Sequence, residues 1–449
     1  MEAIRMADTC YLISDLHIGG DEQLTQVDFL DELLVFLRDL EESDEDAELV
    51  INGDAFGLWE FTEIEGPEKF DALLDRYPEL FEQLRATGKR VPITLIPGNH
   101  DYELAAHTEY VDRLAEYNVD LEQEIAITRD IGEHTIHIEH GMQEDPSNRI
   151  PDFGNPYANP PGYFVNRHIT SRAGRLSGRG KYNWLKDIQA VTPMTQIPDW
   201  LVSNYFYREM SGWLRYASVP FLLLFNLSLV YVGIYALDAL GIWSLPMTVV
   251  RDVLDLFGPV GTLIDIVFAA NVVFIVLLIL VSIPLYVFFR DIRKTLRRFG
   301  LGRRDGDERD PTAKYNDRAR EVFAENPDVA VFLYGHTHRA SVTEIDDRLV
   351  INTGTWLKRL RRVDPVLGIF PPVFYSSYRL SYVRLTGADD GSVVVDCNIV
   401  DKPDPGDETL LERLITRTPK PYEGFPVHER VDPDDRTGPE SGAPSSNTR

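Results

Sequence analysis

Cysteine is nearly missing from this chain: Cys10 and Cys397 are the only two in 449 residues. That excludes a disulfide framework and a thiolate zinc site, so any metal has to be held by nitrogen and oxygen. Lysine is also scarce, with arginine outnumbering it roughly fourfold. Basic charge is short overall, at 45 Lys and Arg against 72 Asp and Glu and a net charge of −27. This balance argues against a general nucleic-acid binder, whose footprint is a basic domain. Acidic runs such as 39-DLEESDEDAE-48 give the chain the look of a halophile protein, whose surface carboxylates hold water in a salt-loaded cytoplasm. No secretory leader is expected, since MEAIRMADTC lacks the charged start followed by an apolar stretch. The expectation is an N-terminus that stays in the cytoplasm.

Against that polar background, two long runs lack charge altogether, Tyr216–Leu237 and Ile266–Phe289. Each meets the roughly 20-residue length of a membrane-spanning helix, and a core helix of a soluble protein keeps one stripe for water. The reading is a transmembrane hairpin at about 216–238 and 265–289. Arginine flanks both outer ends, densely in 290-RDIRKTLRRFGLGRR-304, while the connector holds only Arg251. By the positive-inside rule both flanks are cytoplasmic, giving a multi-pass protein of the cell membrane. The aromatic approach 200-WLVSNYFYREMSGWLRY-216 reads as an interfacial segment.

Five short apolar runs end in metal-ligand residues. They are TCYLIS before Asp15 and His17, ELVIN before Asp54, VPITLIP before Asn99, His100 and Asp101, HTIHIE before His140, and VAVFLY before His336 and His338. Short runs rich in Val, Ile and Leu read as buried parallel strands, and open α/β sheets build sites beyond the carboxyl ends of such strands. Helical spacing in 28-DFLDELLVFLRDL-40 and 70-FDALLDRYPELFEQL-84 predicts the crossover helices between them. Asp54 offers two oxygens that could bridge two cations, Asn99 a neutral carbonyl, and the histidines imidazole nitrogen. Such a mixed set suits two divalent ions of Mn²⁺, Fe or Zn²⁺ type rather than Mg²⁺ or Ca²⁺ alone. Two ions close together clamp the attacking and leaving oxygens of phosphoryl displacement.

The ordered set Asp15-x-His17, Gly53-Asp54, Gly98-Asn99-His100-Asp101, His140 and Gly335-His336-x-His338 resembles that of the calcineurin-like metallophosphoesterases. The resemblance implies a four-layer α/β/β/α sandwich around a dinuclear site, into which the two apolar runs would insert their transmembrane hairpin. It further implies that Asp15, His17, Asp54 and His338 hold one metal, and Asp54, Asn99, His140 and His336 the other. The implied reaction is in-line attack on phosphorus by a metal-bound hydroxide. His100 would then serve the leaving group, its ring oriented by Asp101. Many relatives carry an acid three residues after the Gly-Asp aspartate, where this chain has Gly57. The stretch Gly53–Trp59 resembles the branch that hydrolyses UDP-diacylglucosamine, although His100 stands where that branch typically has Arg.

These readings divide the chain into 1–145 and 312–402 as two parts of one catalytic domain. Residues 146–311 form the membrane insertion, and 403–449 an acidic, largely disordered tail. The leading expectation is a membrane-anchored phosphoesterase acting on ester or pyrophosphate bonds of a small, lipid-linked or nucleotide-linked substrate. Two rivals are a metal-dependent nuclease and a non-catalytic membrane scaffold on the same fold. His134 and His137 read as ordinary strand residues, and His107, His168 and His428 have no ligand-like context. Asp145, Asn148 and Arg149 sit in a polar turn after His140 that is open to contact with substrate.

Overall fold

A computed structural model describes residues 8–20, 27–172, 187–191, 196–298, 312–366, 370–406, 408–416 and 425–432. Strands β1 (Thr9–Ile13), β2 (Ala47–Asn52), β3 (Ile93–Ile96) and β4 (Val119–Leu121) lie parallel in a seven-stranded sheet. The other sheet has five strands: β5 (Ala126–Ile131), β6 (His134–Glu139), β7 (Val329–Tyr334), β8 (Ser341–Ile345) and β9 (Arg348–Asn352). Its β6, β7 and β9 are mutually parallel. After a two-stranded ribbon of β10 (Arg359–Val363) and β11 (Val373–Ser377), strands β12 (Leu380–Gly387), β13 (Val393–Val400) and β14 (Val427–Val431) complete the first sheet antiparallel.

Period-two alternation sorts the side chains into layers. Cys10, Leu12 and Val50 point between the sheets, where they meet Ile136, Ile138, Val331, Leu333 and Val383. Ile13, Leu49 and Ile51 point outward and are covered by Leu33, Phe36, Leu37, Leu80, Phe81 and Leu84. Those residues belong to helices Leu30–Glu42 and Pro78–Thr87, which join the parallel strands as the spacing predicted. On the far side, helix Ala313–Glu325 packs Tyr315, Ala319 and Val322 against Phe332 and Tyr334. Two mixed sheets face to face, with helices on both outer surfaces, agree with the expected layering.

One expectation is met only in part, and two need correction. Among the described residues only one helical stretch, Pro259–Asp291, is long and apolar enough to cross a membrane, its most apolar 18 residues having a mean hydropathy of 3.1 and being 11 % buried. The described apolar part of helix Gly212–Ala239 is Leu227–Ala239. Much of the rest of that 28-residue helix has side chains outside the described residues, so the two-helix hairpin is not confirmed. The connector is also a helix, Leu245–Leu256. Trp200, Phe206 and Tyr207 of the segment read as interfacial are buried, packed on Leu360, Phe374, Phe370 and Val373 of the catalytic domain. Finally, the tail is partly built into the fold. β14 pairs with β13, helix Leu410–Ile415 carries a capping box at Thr409 and Glu412, and Phe425 and Val431 enter the inter-sheet core. Polar composition concealed these elements, because a few apolar anchors suffice for an edge strand.

Phe425→Ala is therefore expected to destabilise the domain by about 3–5 kcal/mol. A fall in the thermal unfolding midpoint would report it; an unchanged midpoint would mean the tail does not belong to the core.

Candidate metal centre

The parallel strands of both sheets end together, and the loops beyond them interlock. Leu16 N and His17 N donate to Asp54 O at 2.9 and 2.8 Å, and Gly335 N donates to His140 O at 3.0 Å. Eight described non-glycine residues have positive φ, and five are Asp15, His17, Asp54, His336 and His338, with φ between 46° and 64°. Such conformations cost on the order of 1–2 kcal/mol each. They persist where surrounding structure overdetermines them, which marks functional sites. Here each turn swings a side chain back over the strand ends.

Six of the candidate ligands, Asp15, His17, Asp54, His140, His336 and His338, come together with His100 beyond the strand ends. One atom each from Asp15, His17 and His338 lies within 4.8 Å of the others, and so do atoms of Asp54, His140 and His336, and of His17, Asp54 and His100. His17 Nε2 and His338 Nε2 are 3.1 Å apart, with Asp15 Oδ1 3.1 Å from the latter. Asp54 Oδ2 lies 3.2 Å from His140 Nε2 and 3.5 Å from His17 Nε2. Asp54 thus stands between the two groups. Its other oxygen, Oδ1, accepts from His100 N at 2.7 Å.

Neighbouring groups engage the far side of several of these residues. Asp15 Oδ2 accepts from Ser14 Oγ at 2.5 Å and His336 N at 3.1 Å, leaving Oδ1 facing the site. His140 Nδ1 donates to Asn52 O at 2.9 Å, which leaves the Nε2 lone pair free. His336 Nε2 is 3.1 Å from Asp145 Oδ2. Such outer contacts fix tautomer and ring direction in metal sites. Glycine provides the clearance: a side chain on Gly98 would collide with the Asp54 carboxylate, and one on Gly53 with the His140 ring.

Buried donors here lack partners. Asp15 Oδ1, Asp54 Oδ2, both polar atoms of the Asn99 amide and His140 Nε2 accept or donate no hydrogen bond. Each such atom costs about 1–3 kcal/mol when left unsatisfied, and nitrogen and oxygen donors in this arrangement fit divalent cations. Without a cation, the clustered acids and imidazoles hold one another charged, and His140 would release a proton on binding a metal. Burial would raise Asp15, yet His338 and His17 hold it well below the usual carboxylate range. Burial opposes charge on His140, but Asp54 outweighs it and lifts the imidazole to about 10.

His100 sits apart from the ligand candidates in its bonding. Its Nδ1 lies 2.7 Å from Glu60 Oε1, not against Asp101. Asp101 instead accepts from Gly98 N at 2.6 Å and Phe56 N at 3.2 Å, so it braces the loop. The orienting role expected of Asp101 falls to Glu60, because the Asp101 carboxylate points under the loop towards those amides. Glu60 also occupies the space beside Gly57, where an added Cβ would meet Glu60 Oε2 at 2.9 Å. Gly57 in place of an acid, with Glu60 one turn later, was the sequence signal for this substitution. Burial works against a charged His100, but Glu60 and Asp54 prevail and raise it to about 9. Asp145, taken from sequence as open to substrate, is the partner of His336. His134 and His137 lie outside all three clusters, as expected of strand residues.

The family profile described as calcineurin-like phosphoesterase matches residues 9–233. The chain belongs to the calcineurin-like phosphoesterase family. His336 and His338 lie beyond the matched range, and the tertiary structure is what brings them to Asp15 and Asp54. Among solved structures, a predicted phosphoesterase from Streptococcus pneumoniae TIGR4 is 12 % identical, with 89 % of this chain and 94 % of that chain covered and a TM-score of 0.27. Vacuolar Protein Sorting 29 from Cryptosporidium parvum is 10 % identical over 88 % and 93 % of the two chains, with a TM-score of 0.30. Vps29 from Entamoeba histolytica, crystallised with Zn²⁺, is 9 % identical over 94 % and 98 %, with a TM-score of 0.27. No curated protein matches the chain. As members of this family bind divalent metals, the clusters around Asp54 are groups able to hold them.

Asp145→Ala is expected to weaken Mn²⁺ binding by about 10–100-fold while leaving the far-UV circular dichroism unchanged. Equilibrium dialysis would measure it, and unaltered affinity would disconnect Asp145 from the metal centre.

Proposed function

We propose that the chain is a membrane-anchored, dinuclear metal-dependent phosphoesterase. The observation that carries this reading is the pair of donor clusters meeting at Asp54, with buried oxygens and nitrogens that lack hydrogen-bond partners. Asp15, His17, Asp54 and His338 would hold one cation, and Asp54, Asn99, His140 and His336 the second. Manganese is the favoured metal, with iron or zinc as alternatives. Bound cations of this kind lower the pKa of water towards neutrality and neutralise phosphoryl oxygens.

The chain's own residues supply the rest. Glu60 fixes His100 through Nδ1, so that Nε2–H is the end free to donate to the oxygen of the departing group. Trp59 packs beside that ring at 4.7 Å between centroids and excludes water from one flank. Asp101 ties Gly98 and Phe56 together, holding the loop that bears Asn99 and His100.

Helix Pro259–Asp291 supports the anchor, since a helix this apolar and this little buried is poorly suited to water. Helix Gly212–Ala239 packs on it through Asn271 Nδ2 donating to Ser228 Oγ at 2.9 Å and through Tyr231 stacked on Phe268 at 4.9 Å. Buried polar pairs between apolar helices are a known glue within bilayers. With helix Gly212–Ala239 as the second span, both arginine-rich flanks and the catalytic domain they join would lie on the cytoplasmic side. A site held there suits an amphipathic phosphate ester or pyrophosphate, lipid-linked or nucleotide-linked.

Detergent-purified protein with Mn²⁺ is expected to hydrolyse a nitrophenyl phosphomonoester or diester. His100→Ala is expected to lower kcat by about 10²–10⁴-fold. Glu60→Gln should lower kcat as well with little change in KM, as befits a residue that positions the donor. Full activity in Asp54→Asn would sink the dinuclear reading, and a protein that binds no metal would be a scaffold instead.

A further inference from the structure

The helix that follows β6 is inside out. From Pro161 it runs as α-helix to Val165, as a π-turn over Asn166–Thr170, and on to Arg172. Its polar side faces the protein. Asn166 Nδ2 donates to Glu60 Oε1 at 3.2 Å, Arg167 is buried against Glu65, and Ser171 Oγ donates to Asn166 Oδ1 at 3.0 Å. Its apolar side faces outward, with Phe164 51 %, Val165 39 % and Ile169 61 % exposed. A water-facing helix has the opposite arrangement, apolar inward and polar outward. Apolar surface of this kind, rimmed by polar residues, marks an interaction site.

Charge identifies the partner. Residues 153–186 hold Arg167, Arg172, Arg175, Arg179, Lys181 and Lys186 and no Asp or Glu, in a chain that has 72 acidic residues. An apolar helix face that runs on in sequence into a basic stretch is the make-up of a helix lying in the headgroup region of a bilayer. Near an anionic leaflet such basic residues are attracted to the headgroups, except Arg167, which turns inward to Glu65 while Arg172 is exposed. A soluble protein partner would explain the apolar face but not the local reversal of charge in so acidic a chain.

We propose that helix 161–172 lies in the headgroup plane of an anionic bilayer, with Phe164, Val165 and Ile169 at the acyl boundary. This rests on the membrane-anchored reading above and adds a second contact close to the metal centre. The same helix grips the site: Tyr163 packs on Trp59 at 5.6 Å, Trp59 on His100 at 4.7 Å, and Asn166 holds Glu60. The bilayer contact therefore brings the Glu60–His100 side of the centre to headgroup depth. Phosphates carried by lipids reach it without leaving the membrane.

The test uses the full chain in nanodiscs of phosphatidylglycerol or phosphatidylcholine. Cysteine is placed singly at Ile169, at exposed Val35 on helix Leu30–Glu42, and at Leu280 in the long apolar helix, then labelled with an environment-sensitive fluorophore. Cys10 and Cys397 are buried and keep background labelling low. In phosphatidylglycerol, iodide quenching of the Ile169→Cys label should be about fivefold weaker than that of the Val35→Cys label, and doxyl lipids should quench it. Iodide access equal to Val35 would overturn the proposal. So would protection from both quenchers, which means protein covers the face. Equal lipid contact in phosphatidylcholine would remove anionic headgroups as its cause. Leu280→Cys keeps the two readings apart: lipid contact there with Ile169 in water overturns this proposal alone, and water access at both removes the anchor too.

Discussion

A carboxylate serving two donor groups at once must be approached from two directions, and the rest of this structure answers to that requirement. Asp54 has His17 on one side and His140 on the other, one from each sheet. No single strand end offers both. The arrangement needs two sheets packed face to face with their parallel strands ending at the same edge. The inter-sheet core of Leu12, Val50, Ile138 and Leu333 fixes that alignment. Packing in the interior is thus what sets the geometry of a site several residues beyond it.

Local strain follows from the same demand. Turning Asp15, His17, Asp54, His336 and His338 back over the strand ends requires left-handed backbone at non-glycine residues. Stability elsewhere holds those turns, through backbone bonds between the β1 and β2 loops and between His140 and Gly335. Unpartnered donors at the centre add a further cost that a bound cation offsets. A cation held by these groups would tie folding to metal binding, as it does wherever ligands must be held ready.

The insertion between His140 and His336 has two characters. Its near part packs on the catalytic domain, where Trp200, Phe206 and Tyr207 form small cores with β10 and β11. Its far part shows apolar residues outward. Helix 161–172 belongs to both, with polar contacts to Glu60 and Glu65 within and apolar side chains without. Aromatic composition near a span does not separate these cases, because the same Trp and Tyr serve an interface or a core. Only the direction of each side chain does.

Sequence alone determined the strand-end ligand pattern, the parallel β-α order and the family, since these depend on residue type and local spacing. It also marked Tyr216–Leu237 and Ile266–Phe289 as apolar beyond what a soluble helix needs. Tertiary structure decided what depends on distant segments meeting. Glu60 rather than Asp101 holds His100, because a turn of 3₁₀-helix carries Glu60 into the space left by Gly57. Asp145 backs His336 across 191 residues of chain. The tail strand Val427–Val431 finds β13 although its composition suggests a linker. A ligand motif survives in one dimension because each strand presents its own end, whereas the partners that orient ligands are set by which loops the packed sheets bring together.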